Sequence, residues 1–115
     1  MTAIDDLTRI RHMRDAGREI LEFMTGSSQS SFATNRMLQL AVVKDLEIIG
    51  EAANNISDEC QSRHPYIPWR AMVGMRNRLV HAYFGINLDV IWQTVQQDLP
   101  PLIDSLERAL QELEI

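Results

Sequence analysis

The sequence predicts an all-α fold: an up-down bundle of four to five helices, with the C-terminal helix kinked or split at Pro100-Pro101. Three observations lead there. Gly and Pro are few, five and four in 115 residues, and runs of β-branched residues are short. Apolar residues recur at spacings of three and four along most of the chain, as they do on helices that bury one side. From Leu88 to Leu113 that spacing becomes a heptad-like seam.

The first helix is expected at about 3–24. Ile4, Leu7, Ile10, Met13, Gly17, Ile20, Leu21 and Met24 form its apolar side, and Arg9, Arg11, Asp15, Arg18, Glu19 and Glu22 its polar side. Gly26 is a natural stop, and residues 26–31 read as a short polar linker. A longer helix is expected from Phe32 to about Glu59. Leu38, Val42, Leu46, Ile49, Ala53, Ile56 and Cys60 make its main stripe, which Leu40, Ala41, Val43, Ile48 and Ala52 widen. Such a helix has neighbours on two sides. Gly50, Ala52 and Ala53 would let one of them come close. Glu47 and Glu51 stand one turn apart, a spacing suited to a metal, but no histidine matches it and an exposed acidic strip is the commoner role.

Pro65 and Pro68 break the chain, and Pro68 suits the start of a further helix. That helix is expected from Trp69 to about Leu79, with Trp69, Met72, Val73, Leu79 and Val80 toward the core. His64 reads as a loop residue. Residues 84–87 form a turn, and Asn87 caps the next helix. The seam Leu88, Trp92, Val95, Leu99, Leu102, Leu106, Ala109, Leu113 then predicts helices at about 88–97 and 99–113. Asp98 would cap the second, placing both prolines in its first turn.

Composition narrows the function. Apolar residues make up 45% of the chain and charged residues 23%, as in a single globular domain over 1–115 with a modest core. No apolar run is long enough to span a membrane, and Met1 to Asp6 lacks a signal-peptide pattern. Cys60 is alone, which excludes an internal disulfide and a Cys-based zinc cluster. A reducing cytoplasm is the simplest compartment. The net charge of −5 argues against a general nucleic-acid coat. Yet no Asp or Glu lies between Cys60 and Leu88, where Arg63, His64, Arg70, Arg76, Arg78 and His81 do. Ten of the eleven Lys and Arg residues are Arg, the better bidentate partner for phosphate.

That basic island centres on Arg76-Asn77-Arg78-Leu79-Val80-His81-Ala82-Tyr83. RNA brings its own nucleophile, the 2′-OH. Cleavage then needs a base, an acid and positive charge at the phosphorane. Histidine suits the proton transfers, and arginine forks onto phosphate oxygens. Asn77 and Arg78 are candidates for site support or RNA binding. Tyr83 is a candidate for stacking on a base or bonding a phosphate. On an unbroken helix, positions 76 and 81 point about 140° apart, while 77 and 81 share a face. Either the helix distorts near residues 79–83, or two chains build a common cleft. By spacing alone, Arg-x4-His is also the pattern of a structural Arg and a solvent-exposed His.

The longer string from Ile67 to Ile86 resembles the signature region of the HepT-like toxins, which belong to the HEPN superfamily of helical ribonucleases. Val90–Val95, Asp98–Leu102 and Ile48–Ala53 share the resemblance. It implies an HEPN-like bundle and a metal-independent endoribonuclease without cofactor, the toxin of a type VII-like toxin–antitoxin pair. It assigns catalysis to Arg76 and His81, with Asn77 and Tyr83 matching the rest of the motif. It also implies a homodimer whose motifs line one cleft, and a nucleotidyltransferase antitoxin of the MntA type. In such pairs, AMP transfer to the motif tyrosine, here Tyr83, can silence the toxin by charge and bulk. The alternative reading is a non-catalytic helical partner of a nucleotidyltransferase.

Overall fold

The computed structural model describes residues 5–81, 85 and 87–114. Helices dominate these residues: α1 (Asp6–Phe23), α2 (Gln29–Thr34), α3 (Arg36–Asn54), α4 (Asp58–Arg63), α5 (Trp69–His81), α6 (Leu88–Gln93) and α7 (Leu99–Glu114). A π turn, Thr94–Asp98, joins α6 to α7. The long helices α1, α3, α5 and α7 form the all-α bundle that the spacing predicts. As expected, α3 is central, with α1 on one side and α5 on the other; α7 packs on α1.

The core follows the predicted stripes. Ile10, Met13 and Ile20 of α1 meet Val42, Leu46 and Ile49 of α3, and Ile91, Val95, Leu99 and Leu106 close the C-terminal side. Each fully buried Ile or Leu stabilises the fold by about 1.5–3 kcal/mol. Every position of the C-terminal seam is buried or half-buried. Leu21 and Val80, expected in the core, are instead exposed, as are Leu40 and Ile48 on the flank of the α3 stripe. A helix has room for only one buried arc where it has no neighbour on the other side.

The helix ends show where periodicity misleads. Asp5 caps α1 by accepting from the Thr8 N–H at 2.8 Å, and Gly26, at φ +77°, turns the chain out of it. The Ser-rich segment is helical rather than a linker: Ser28 and Ser31 form a reciprocal capping box that starts α2. The long helix expected from Phe32 therefore begins later. Asn35 ends α2 and caps α3 through the Leu38 N–H at 3.0 Å. Buried Gln39 donates to the Phe32 and Ala33 carbonyls at 2.9 and 3.1 Å, which satisfies the end of α2. α3 stops at Asn54, short of Glu59. Ser57 starts α4, and its N–H and hydroxyl both donate to Asp6 of α1.

Pro68 opens α5, its carbonyl accepting from the Met72 N–H. His64 is a structural loop residue. It is buried, with Nδ1 3.1 Å from the Tyr66 hydroxyl and 3.0 Å from Glu112 Oε2 of α7. Its carbonyl accepts from the Trp69 indole N–H. Asn87 caps α6 as predicted, accepting from the Val90 N–H.

The C-terminal irregularity sits one turn before the prolines. The chain does not break at Asp98; it stays helical in a wider π turn, closed by Leu99 N–H to the Thr94 carbonyl. Pro100 and Pro101 cannot donate, and their rings crowd the carbonyls of the preceding turn. Widening that turn makes room for them without a kinked cap.

Candidate active site

Arg76 owes its position to α3. A Cβ on Gly50 would run into the Arg76 side chain and come within 2.8 Å of the Met72 carbonyl oxygen. Only glycine lets α5 lie this close. The next residue, Glu51, is then placed to hold the guanidinium: Arg76 Nη2 donates to Glu51 Oε2 at 2.5 Å. Arg76 Nη1 donates to Asn77 Oδ1 at 2.9 Å. Both ends of the fork are tied, yet the side chain stays 29% exposed and Glu51 57%. The charge is therefore oriented and still open to a ligand. A pair this exposed adds less than about 1 kcal/mol to stability, so an incoming phosphate can compete for the guanidinium at small cost.

Arg76 and Asn77 are thus brought together, and Arg78 is not with them. Two residues on, Arg78 lines a separate groove of about 510 Å³ between α3, α5 and α7, floored by Leu46, Met72, Met75 and Leu102. The helical backbone of α5 continues through His81. Positions 77 and 81 are thus one turn apart on the same side of that helix. Of the distortion expected near residues 79–83, the described part, 79–81, is helical; the side chain of His81 and residues 82–84, including Tyr83, lie outside the described residues.

Arg76 forms part of a second groove, of about 430 Å³, built by α1, α3 and α5. Arg9 and His12 come from α1, Lys44, Glu47, Ile48 and Glu51 from α3, and Val80 from α5. Glu51, read from sequence as an acidic strip, is instead the partner of Arg76. His12, Arg9 and Lys44 were not legible as site residues. Their one signal was Arg9 and His12 at i and i+3, which puts them on a common face of α1. Among the described residues no group of three or more His, Cys, Asp or Glu side chains is arranged to hold a metal ion.

An all-helical bundle that seats an arginine on a glycine, one helical turn and a residue before a histidine, agrees with the class of helical ribonucleases that the sequence resembles. Comparison with known proteins places the chain within it. Residues 13–109 match the family described as Ribonuclease HepT-like. A Thermococcus cleftensis protein named "Probable ribonuclease HepT" is 44% identical over 89 residues, 77% of this chain and 81% of its own. "Putative RNase TTE0752" of Caldanaerobacter subterraneus is 35% identical over 103 residues, 90% of this chain and 92% of its own. "Putative RNase MJ1380" of Methanocaldococcus jannaschii is 37% identical over 93 residues, 81% of this chain and 85% of its own. No solved structure matches. The chain belongs to the HepT-like ribonuclease family. Among the described residues, no helix is long and apolar enough to cross a membrane.

Proposed function

We propose that this chain is a cytoplasmic, metal-independent endoribonuclease that acts as the toxin of a toxin–antitoxin pair. The observation that carries this reading is the seat of Arg76: a guanidinium fixed by Glu51 and Asn77 in an open groove, on the helix that also bears His81. Arg76 neutralises charge on the phosphorane as it builds. His81 serves proton transfer as the 2′-oxygen attacks phosphorus and the P–O5′ bond breaks. The products are a 2′,3′-cyclic phosphate and a free 5′-hydroxyl. Asn77 orients Arg76. Because α5 stays helical through His81, positions 76 and 81 diverge along it, which favours a homodimer whose two chains complete one cleft.

The antitoxin in this reading is an MntA-type nucleotidyltransferase. The Tyr83 hydroxyl attacks the α-phosphorus of ATP, pyrophosphate leaves, and the tyrosine carries AMP. The new anion on the motif then competes with RNA phosphate. Inducible expression in cells tests this. The wild type is expected to arrest growth, and Arg76→Ala and His81→Ala are expected to relieve the arrest while remaining folded. Arrest by both variants at wild-type strength would remove these residues from the mechanism.

A further inference from the structure

We propose that the groove between α1, α3 and α5 is an RNA subsite, in which His12 and Lys44 hold the strand at a phosphate flanking the one that Arg76 serves. The proposal rests on the ribonuclease reading and extends it to residues outside the Arg76–Tyr83 motif.

Four observations point to this ligand. The groove is shared with Arg76, so a strand whose scissile phosphate meets that guanidinium has this channel beside it. Its walls carry Arg9, Lys44 and Arg76 beside Glu47 and Glu51, of which Glu51 is already engaged with Arg76. His12 adds an imidazole from a different helix, so the donors converge from three elements. The floor is apolar where a ribose or base would lie: Ile48 is 36% exposed and Val80 46%, both at odds with their expected burial in a lone chain.

Single-stranded nucleic acid is bound by this combination of a cationic track and an apolar surface for the bases. A strand seated there also accounts for the otherwise idle exposure of Ile48 and Val80 beside the site. A volume of about 430 Å³ falls within the range of small-ligand sites, enough for a nucleotide unit. The strand would enter past α1 and reach Arg76 along α3.

The test is binding of a 2′-O-methyl single-stranded RNA, which cannot be cleaved, followed by fluorescence anisotropy across a salt series. The proteins are the wild type, Lys44→Gln, His12→Gln and their double variant, with Arg11→Gln as a charge control. Arg11 pairs with Glu114 of α7, on the other flank of α1. The double variant is expected to bind about tenfold more weakly, and loss of Lys44 to flatten the slope of log K against log salt by about 0.7. Arg11→Gln is expected to keep the wild-type slope. Light scattering on the same samples is expected to give one mass throughout.

Groove variants that bind like the wild type, which itself still cleaves unmodified RNA, overturn the subsite and leave the ribonuclease reading standing. Variants that lose binding only by dissociating into a smaller species overturn it too, because the groove is then a contact between copies. A wild type that neither binds nor cleaves RNA removes the ribonuclease reading, and the subsite with it.

Discussion

Asp45 is the most perturbed side chain in the described molecule. It lies buried on α3, with one carboxylate oxygen lacking any partner. Burial, then a hydrogen bond with Glu19 of α1, then the charge on Glu19 raise its pKa from 3.8 to about 7. Two carboxyl groups can bond only if one holds a proton, so the folded state keeps Asp45 protonated where the unfolded chain has released it. The native state therefore binds more protons between about pH 4 and pH 7, so stability falls as pH rises through that window and levels off above it. Asp45→Asn keeps the donor and cannot ionise. Its stability relative to wild type, read from urea unfolding at pH 5 and pH 8, is expected to rise with pH. A difference independent of pH would show that Asp45 ionises normally in the fold.

Among the helices, α3 contributes Gly50 and Glu51 to the site. Gly50→Ala has no space to relax, because the obstructing atoms include the α5 backbone at Met72. It is expected to separate α3 from α5 and destabilise the protein by about 1–3 kcal/mol, the usual cost of overpacking, with a matching loss of activity. Glu51→Ala leaves the helices in contact and frees Arg76. It is expected to lower kcat by about tenfold with little change in KM, and Glu51→Gln, which still accepts a hydrogen bond, to restore part of the loss. Equal kcat in all three proteins would separate Glu51 from the positioning of Arg76.

The same elements show what was legible in the sequence. The apolar stripes located α1, α3, α5 and the C-terminal seam, because burial of one face is what holds those helices in place. The glycine contact was legible too, since Gly50, with Ala52 and Ala53, makes a small-residue segment on an otherwise bulky helix. Apart from Asn87, the short polar caps were not. Ser28 starts a helix inside a stretch read as a linker, Asn35 and Ser57 divide a stretch that periodicity alone joins, and side-chain hydrogen bonds set each boundary. The π turn was half legible: the prolines announced an irregularity, and its position depended on which carbonyls could be spared. The partner of Arg76 was hidden, because Glu51 lies 25 residues away and only the α3–α5 crossing brings it near. His12 was hidden for the same reason.

For the molecule as a whole, the divergence of positions 76 and 81 along α5 is the basis of the proposed site shared between two chains. Mixing Arg76→Ala with His81→Ala protomers tests it. If Arg76 of one chain works with His81 of the other, each mixed dimer holds one intact pair. Refolded mixtures are then expected to regain up to about a quarter of wild-type activity from two inactive parents, for statistical pairing with one live site per mixed dimer. Mixtures as inactive as their parents would place both groups within a single chain's site.

Whether Arg76 and His81 cleave RNA without a metal is decided by incubating a defined RNA with purified protein in excess EDTA and identifying the product ends. The wild type is expected to cleave, leaving 2′,3′-cyclic phosphate and 5′-hydroxyl ends. Arg76→Ala and His81→Ala are each expected to lower the rate by about 10²-fold or more. Cleavage that stops in EDTA, or that persists at wild-type rate in either variant, would contradict this mechanism.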